Sequence, residues 1–174
     1  MERALNDRDH AVDMLDPRII DVAIGVAPTR ADSRILSIPV LQHEFVTILP
    51  SDHPDAQRAM TLETYLSLAH VLVSPEGECR GLVDEALAQQ GKTRQLALTP
   101  QMFAVPAVVT RTRITATVMR RVALSSEAGR QLALFPPPLN LPSVVFHLIW
   151  HRRSESSLAQ ARFGDSIAAS AATL

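Results

Sequence analysis

One stretch, Glu44–Pro54 (EFVTILPSDHP), constrains the fold of this chain more than any other. Its first half is apolar and rich in β-branched residues, which is typical of a strand. Pro50 has no N–H for a sheet ladder, and the turn-forming residues after it predict that the strand ends there. A second strand of the same kind, Val144–His151 (VVFHLIWH), lies near the other end. We interpret the two strands as crossovers between two lobes, and we place the function in the cleft where they cross.

The composition excludes several classes of protein. Of 174 residues, 47% are hydrophobic and the formal net charge is −1, which predicts a folded protein without a phosphate-binding surface. A single cysteine, Cys79, rules out an internal disulfide and suits a reducing compartment. We see neither a membrane-spanning apolar run nor a signal peptide at the N-terminus, so we expect a cytoplasmic protein with no membrane partner.

Strands alternate with helices along the chain, which predicts an α/β fold with a largely parallel sheet in each lobe. In the first lobe a helix is expected at Asp9–Leu15. Ile19–Ile24 (IIDVAI) reads as a parallel strand covered on both faces, with Gly25 allowing a tight exit from it. Arg34–Leu41 is a second extended segment, and Pro39 places it at a sheet edge.

The middle of the chain opens with Thr61 as the N-cap of a helix whose apolar residues recur at helical spacing. Gly91 is expected to follow a later helix as its C′ residue. Further helices are predicted at Leu82–Gln90, Pro106–Thr110 and Met119–Leu124, and strands at His70–Ser74, Gln95–Leu98, Ile114–Val118 and Leu132–Phe135.

Catalytic and metal signatures are missing from the sequence. It contains no G-x-S-x-G, no glycine-rich phosphate loop and no paired carboxylates between strands, and Cys79 has no evident group to lower its pKa. His147 and His151 share one face of a predicted strand, yet no carboxylate or third histidine is near them in sequence. Polar strand residues facing water are the simpler interpretation. We therefore expect no enzyme activity, metal or cofactor.

The order of several segments nevertheless resembles a known family. IIDVAIG, EFVTILPSDHP, HVLVSPEGECRGLVDEALAQQGKTRQLAL, FAVPAVV and LIWHRR together resemble the effector-binding domain of LysR-type transcriptional regulators, over essentially the whole chain. The resemblance implies a type 2 periplasmic-binding-protein-like fold with two lobes, two crossover strands and a small-molecule effector in the cleft. Lobe I is expected at 1–48 and 147–174, truncated by the loss of its first strand and helix, and lobe II at 49–146. The DNA-binding domain is also expected to be missing.

Five residues are candidate effector ligands because they lie in predicted loops facing the cleft: Arg80, Ser74, Thr99, Phe103 and Asn6. For the three small polar residues, ordinary turn and cap chemistry is the alternative, and for Phe103 it is a place in the core. Arg80 is expected immediately before a helix N-terminus, where its planar guanidinium suits a carboxylate. The alternative is that it is solvated, or pairs with Glu76, Glu78 or Asp84.

These observations predict a sensor of a small organic effector, in the class of aromatic or other carboxylates. A stand-alone solute-binding protein of the same fold and a dimerisation module without ligand binding are the alternatives. The family resemblance also implies a homodimer or a higher homo-oligomer. With no recognition helix and a charge of −1, this fragment alone is expected to bind no nucleic acid.

Overall fold

The computed structural model describes residues 7–73, 81–125, 127–155, 162–163, 166–167 and 169–170. Two compact units make up the chain, Met1–His43 with Val144–Leu174, and Glu44–Ser143. We call them unit 1 and unit 2. The chain passes from unit 1 to unit 2 after His43 and returns after Ser143.

Helices and strands alternate through most of the described residues. The α-helices are α1 Asp7–Leu15, α2 Leu62–Ser67, α3 Leu82–Ala88, α4 Val105–Thr110 and α5 Arg120–Leu124. The strands are β1 Val22–Val26, β2 Ile35–His43, β3 Phe45–Pro50, β4 Ala69–Val71, β5 Gln95–Leu98, β6 Thr115–Met119, β7 Leu132–Phe135 and β8 Val144–His151. Short 3-10 helices occupy Pro54–Gln57, Met102–Ala104, Glu127–Gln131 and Arg152–Ser154.

Many of these bounds are those predicted from the sequence. Strands β5, β7 and β8 coincide with the predicted segments, and β3 ends at Pro50 as expected. The backbone of Gly91 is left-handed, with φ of 65°, and the N–H of Lys92 donates to the carbonyl oxygen of Leu87. This is the predicted C′ glycine closing α3.

In unit 1 a three-stranded sheet has the order β1-β8-β2, with both pairings antiparallel. The prediction of a largely parallel sheet in this lobe is therefore wrong. The prediction that the first strand is covered on both faces is also wrong, because no residue of β1 is fully buried and Ile24 is 52% exposed. Apolar composition does not specify the direction of a strand's partner, which here is set by β8 returning from the far end of the chain. Val12 and Leu15 of α1 are buried in this unit, as is Ile149 of β8.

The first strand also differs from its prediction. It begins at Val22 instead of Ile19, whose side chain is 67% exposed, and it continues through Gly25 to Val26. Gly25 is thus inside the strand and does not form its exit turn. Pro39 lies where the β2–β8 register shifts, between Pro39 and Leu41, so an irregularity accommodates its missing N–H.

Aspartates on one face of α1 hold the helix to the connection between β1 and β2. Asp9 accepts hydrogen bonds from the Thr29 hydroxyl (2.8 Å) and the Thr29 N–H (3.1 Å). Asp13 pairs with Arg30 at 2.8 Å. Because these groups are exposed to solvent, each pair contributes little on its own, and the buried apolar side of α1 contributes more to its docking.

In unit 2 a five-stranded sheet has the order β5-β4-β6-β3-β7. Strand β4 is parallel to both β5 and β6, while β3 is antiparallel to β6 and β7. The sheet is therefore mixed, and the prediction of a largely parallel sheet holds only for its β5-β4-β6 half. The strand predicted at His70–Ser74 corresponds to β4, which ends at Val71.

The two faces of this sheet differ in chemistry. One face is apolar and packs against α4 and α5; its buried residues include Val46, Ile48, Val71, Ala116, Val118, Val105, Val109 and Ala123. On the other face Thr47, His70, Thr115 and Thr117 are all buried, beneath a cluster formed by Tyr65, Val83, Leu87 and Leu139. Buried polar groups of this kind are usually hydrogen-bonded. Most of this layer is, although the Nδ1 of His70 has no partner among the described residues.

Tyr65 joins most of that layer. Its hydroxyl lies 2.8 Å from the hydroxyl of Thr117, which lies 3.3 Å from that of Thr47 on the neighbouring strand. The ring of His70 packs 4.4 Å from that of Tyr65, and its Nε2 donates to the carbonyl oxygen of Tyr65 at 2.7 Å. Burial raises the pKa of the Tyr65 hydroxyl, and burial lowers the pKa of His70 to about 4.

The depressed pKa of His70 predicts a pH-dependent stability. Above the unfolded-state pKa, 6.5, His70 is neutral in both states; below it, only the unfolded chain takes up the proton until the pH nears 4. Unfolding free energy should therefore fall by about 2 kcal/mol between pH 7.5 and 5 on account of this group. Urea titrations at both pH values will measure it.

The matched variants are His70→Gln, which keeps a donor for the Tyr65 carbonyl, and His10→Gln on the exposed surface of α1. His70→Gln should lose this part of the pH dependence, and His10→Gln should retain it. An identical pH dependence in wild type and His70→Gln would contradict the assignment.

Candidate functional site

The carboxyl ends of β4, β5 and β6 lie at one edge of the unit 2 sheet, because these three strands are parallel. Strand β4 lies between the other two, so the connection after it leads to one side and the connection after β5 crosses to the other. In open α/β sheets such a change of direction leaves a crevice beyond the strand ends, where ligands bind. Val71 and Leu98 are register partners, and the N–H of Leu72 donates to the carbonyl oxygen of Leu98 at 3.0 Å. The connections after β4 and β5 therefore begin side by side.

Two of the five predicted effector ligands lie on the connection after β5. Thr99 follows the strand directly and is exposed. Phe103, in a 3-10 helix, is 76% exposed, so it does not belong to the core of unit 2. The other three, Ser74, Arg80 and Asn6, lie outside the described residues. The structure thus brings Thr99 and Phe103 onto one connection.

An ion pair between α3 and the residue that precedes β5 was not predicted from the sequence. Arg94 pairs with Asp84 through two hydrogen bonds, Nε to Oδ1 at 2.8 Å and a terminal nitrogen to Oδ2 at 2.9 Å. The arginine side chain is 3% exposed and the aspartate 15%. The pair joins the first turn of α3 to the residue before β5. The sequence offered only one indication of this ion pair: two opposite charges lie ten positions apart, one at the start of a helix and one before a strand.

Asp84 also caps its own helix. Its Oδ2 accepts a hydrogen bond from the N–H of Gly81 at 2.9 Å. Burial alone would raise the pKa of this carboxyl, but the hydrogen bonds from Arg94 and Gly81 together lower it. Asp84 is therefore an anion held at the start of α3. With Glu85 in the same turn, it offsets the partial positive charge of the helix N-terminus.

Arg94 extends the pair into the buried polar layer. Burial raises the pKa of Tyr65 most, and the nearby Arg94 acts in the opposite direction and lowers it. Hydrogen bonds run from Gly81 through Asp84 to Arg94. They anchor α3 to the sheet and have the buried, paired geometry of a supporting structure.

The two histidines of β8 do not face water as expected. His151 is 8% exposed; its Nδ1 accepts from the N–H of Arg153 at 3.1 Å, and its Nε2 lies 3.7 Å from Asp16. The Nδ1 of His147 is enclosed and has no hydrogen-bond partner among the described residues. Within the described ranges no three His, Cys, Asp or Glu side chains are grouped as a metal site would require.

The described helices are also too short or too polar to cross a membrane.

Comparison with known proteins identifies the family. The model of the LysR substrate binding domain matches residues 4–172. The HTH-type transcriptional activator NahR of Pseudomonas putida is 30% identical over 141 residues, which are 80% of this chain and 47% of NahR. The chain thus spans about half the length of this curated relative.

Solved structures agree with this match. The PA0477 protein of Pseudomonas aeruginosa, a transcriptional regulator by its description, superposes with a TM-score of 0.72 at 31% identity, over 82% of this chain and 47% of that one. The effector-binding domain of QuiR, solved in complex with shikimate, superposes with a TM-score of 0.71 over 95% of this chain and 78% of that one. At 15% identity the QuiR likeness shows the fold alone.

The predicted type 2 periplasmic-binding-protein-like fold is confirmed by these matches. With a family model that covers nearly its whole length, this chain belongs to the LysR substrate-binding domain family and is the effector-binding domain of a LysR-type regulator.

Proposed function

We propose that this domain binds a small organic carboxylate, aromatic or otherwise, and that binding regulates transcription. The observation that carries the proposal is the match of residues 4–172 to the LysR substrate binding domain. QuiR, whose effector-binding domain shares this fold, was solved in complex with shikimate, a carboxylate. The crevice beyond the parallel strands of unit 2 supports it. Exposed Thr99 and Phe103 lie at the strand ends where α/β sheets receive ligands.

Within this proposal Arg80 provides the positive charge. Arg80 precedes Gly81, at which α3 is capped, and the acids in the first turn of α3 leave a guanidinium as the stronger attraction for an anion. Phe103 would stack on an aromatic ring, since most of its surface is free. Ser74, Thr99 and Asn6 would donate hydrogen bonds.

The alternatives are less well supported. A solute-binding protein of the same fold or a bare dimerisation module would leave the match to HTH-type regulators unexplained. The matched relatives are regulators and not enzymes, and we propose that this domain has no catalytic activity and no cofactor. Because transcription regulators act on DNA, we also propose that this domain is cytoplasmic.

The first test concerns the ligand. Calorimetric titration of benzoate-type acids at fixed ionic strength should show binding to the wild type. Arg80→Ala should weaken that binding by roughly 1.5–3 kcal/mol, the range for a charge-assisted hydrogen bond. Arg113→Ala is the matched control, because Arg113 is an exposed arginine on the connection between α4 and β6, and it should bind as the wild type does.

Equal affinity of wild type and Arg80→Ala for a bound acid would remove Arg80 from the site. Binding by none of the acids would reject the proposed ligand class.

The second test concerns assembly, since we also propose that the domain forms a homodimer or a higher homo-oligomer. Both outer strands of the unit 1 sheet carry exposed apolar side chains, Ile24 on β1 and Ile38 on β2, and β5 carries Leu96 and Leu98. Apolar surface and open strand edges favour association. Light scattering at tens of micromolar should give a mass of at least about 38 kDa, twice 19.0 kDa. A monomer mass throughout that range would contradict the proposal.

A further inference from the structure

One carboxylate oxygen at the start of α3 accepts hydrogen bonds from two partners. Oδ2 of Asp84 accepts from the N–H of Gly81 at 2.9 Å and from a terminal nitrogen of Arg94, also at 2.9 Å. The Nε of the same guanidinium donates to Oδ1 at 2.8 Å, so two parallel hydrogen bonds fix the plane of the carboxylate. Arg94 therefore sets the direction in which Asp84 presents Oδ2 to Gly81.

Stability alone does not account for this ion pair. The side chain of Arg94 is 3% exposed and that of Asp84 is 15% exposed, so both charges are largely removed from water. Replacing a buried ion pair by apolar side chains of similar volume is often neutral or stabilising. Two apolar side chains could thus hold α3 against the sheet. A geometric task that needs the planar fork of a guanidinium is a better reason for an arginine at this position.

The N–H that the ion pair fixes lies at the base of the crevice beyond the parallel strands. A Cβ placed on Gly81 would lie 3.5 Å from Cδ1 of Leu72 and 3.7 Å from the carbonyl oxygen of Val73, so Gly81 adjoins the backbone that leaves β4. The N–H of Leu72 in turn donates to the carbonyl oxygen of Leu98, the residue before Thr99. The start of α3 is thereby joined to the connection after β4 and to the end of β5.

We propose that Arg94 is a positioning residue for the effector: it orients Asp84, which fixes the N–H of Gly81 and with it the wall of the crevice before α3. The inference rests on the proposed function and deepens it, because Gly81 directly follows Arg80 in the sequence. A restraint on the planar peptide group that joins these two residues limits the directions from which Arg80 can meet a carboxylate. Arg94 itself is too deeply buried to touch the ligand.

The principal test is Arg94→Lys, because lysine keeps the positive charge but cannot form the two parallel hydrogen bonds. Benzoate, para-hydroxybenzoate and shikimate are titrated by calorimetry into the whole chain at fixed ionic strength. We expect at least one acid to bind the wild type, and Arg94→Lys to bind it about three- to thirtyfold more weakly, the range for residues that modulate a site without touching its ligand. The amide resonance of Gly81, followed by nitrogen-15 NMR without ligand, should also move in this variant.

A second variant interrupts the same contact from its other side. Asp84→Asn keeps an acceptor oxygen but removes the charge that Arg94 holds, and it should weaken binding of the same acid. In an Arg80→Ala background the Arg94→Lys change should weaken binding by less than it does in the wild type, because the two residues then act on one contact.

The matched control separates positioning from a general loss of stability. Thr115→Val removes the buried hydrogen bond from the Thr115 hydroxyl to the carbonyl oxygen of Ile48, at the amino end of β6 and away from the crevice. It should lower the urea midpoint, while the acid affinity and the Gly81 resonance stay as in the wild type.

An acid that binds the wild type, Arg94→Lys and Asp84→Asn with equal affinity overturns the inference and leaves the proposed function standing. Equal weakening by Thr115→Val also overturns it, because the ion pair would then act only through stability. Binding of no acid by the wild type removes the proposed ligand class and this inference with it.

Discussion

The hydrogen bond between the hydroxyls of Tyr65 and Thr117 is the interaction on which the rest of unit 2 depends. It connects α2 to the middle of the mixed sheet, at a face that would otherwise bury polar groups without partners. Arg94, which lowers the pKa of Tyr65, pairs with Asp84, and Asp84 caps α3 at Gly81. A polar network of this kind costs free energy if it is half satisfied, so each member restricts the position of the next. The helix that begins at Gly81 is thereby fixed relative to β5.

The residues that hold α3 against the sheet are different from those that we propose contact the effector. The side chains of Asp84 and Arg94 are hydrogen-bonded to each other and largely buried, which leaves little of their surface for a ligand. Thr99 and Phe103 are exposed at the carboxyl ends of the parallel strands, where they are free to contact one. Rigid elements with exposed side chains at their ends are what a binding site needs, because ordering a ligand-contacting loop at the moment of binding would cost affinity.

Local signals were sufficient for much of the fold. Pro50 ended β3 and Gly91 closed α3, each for a backbone reason that acts within a few residues. Strand direction was not predictable, because β1 is paired by β8 from the opposite end of the chain and an apolar run fits either direction. The polar face was also missed. Thr47 and Thr117 are ordinary strand residues by propensity, and only a register linking positions 70 apart makes them a hydrogen-bonded pair. Gly25 was predicted to allow a tight exit from its strand, but it lies inside β1.

The central claim is that a carboxylate effector binds at the edge formed by the carboxyl ends of β4, β5 and β6. Amide chemical-shift mapping of the whole chain with benzoate and shikimate tests it most directly. The account predicts that the largest shifts include Gly81, Thr99 and Phe103 at that edge, while Ser51 and Gln131, hydrogen-bonded to each other at the opposite end of the sheet, stay unmoved. Saturable shifts confined to the opposite end would contradict it.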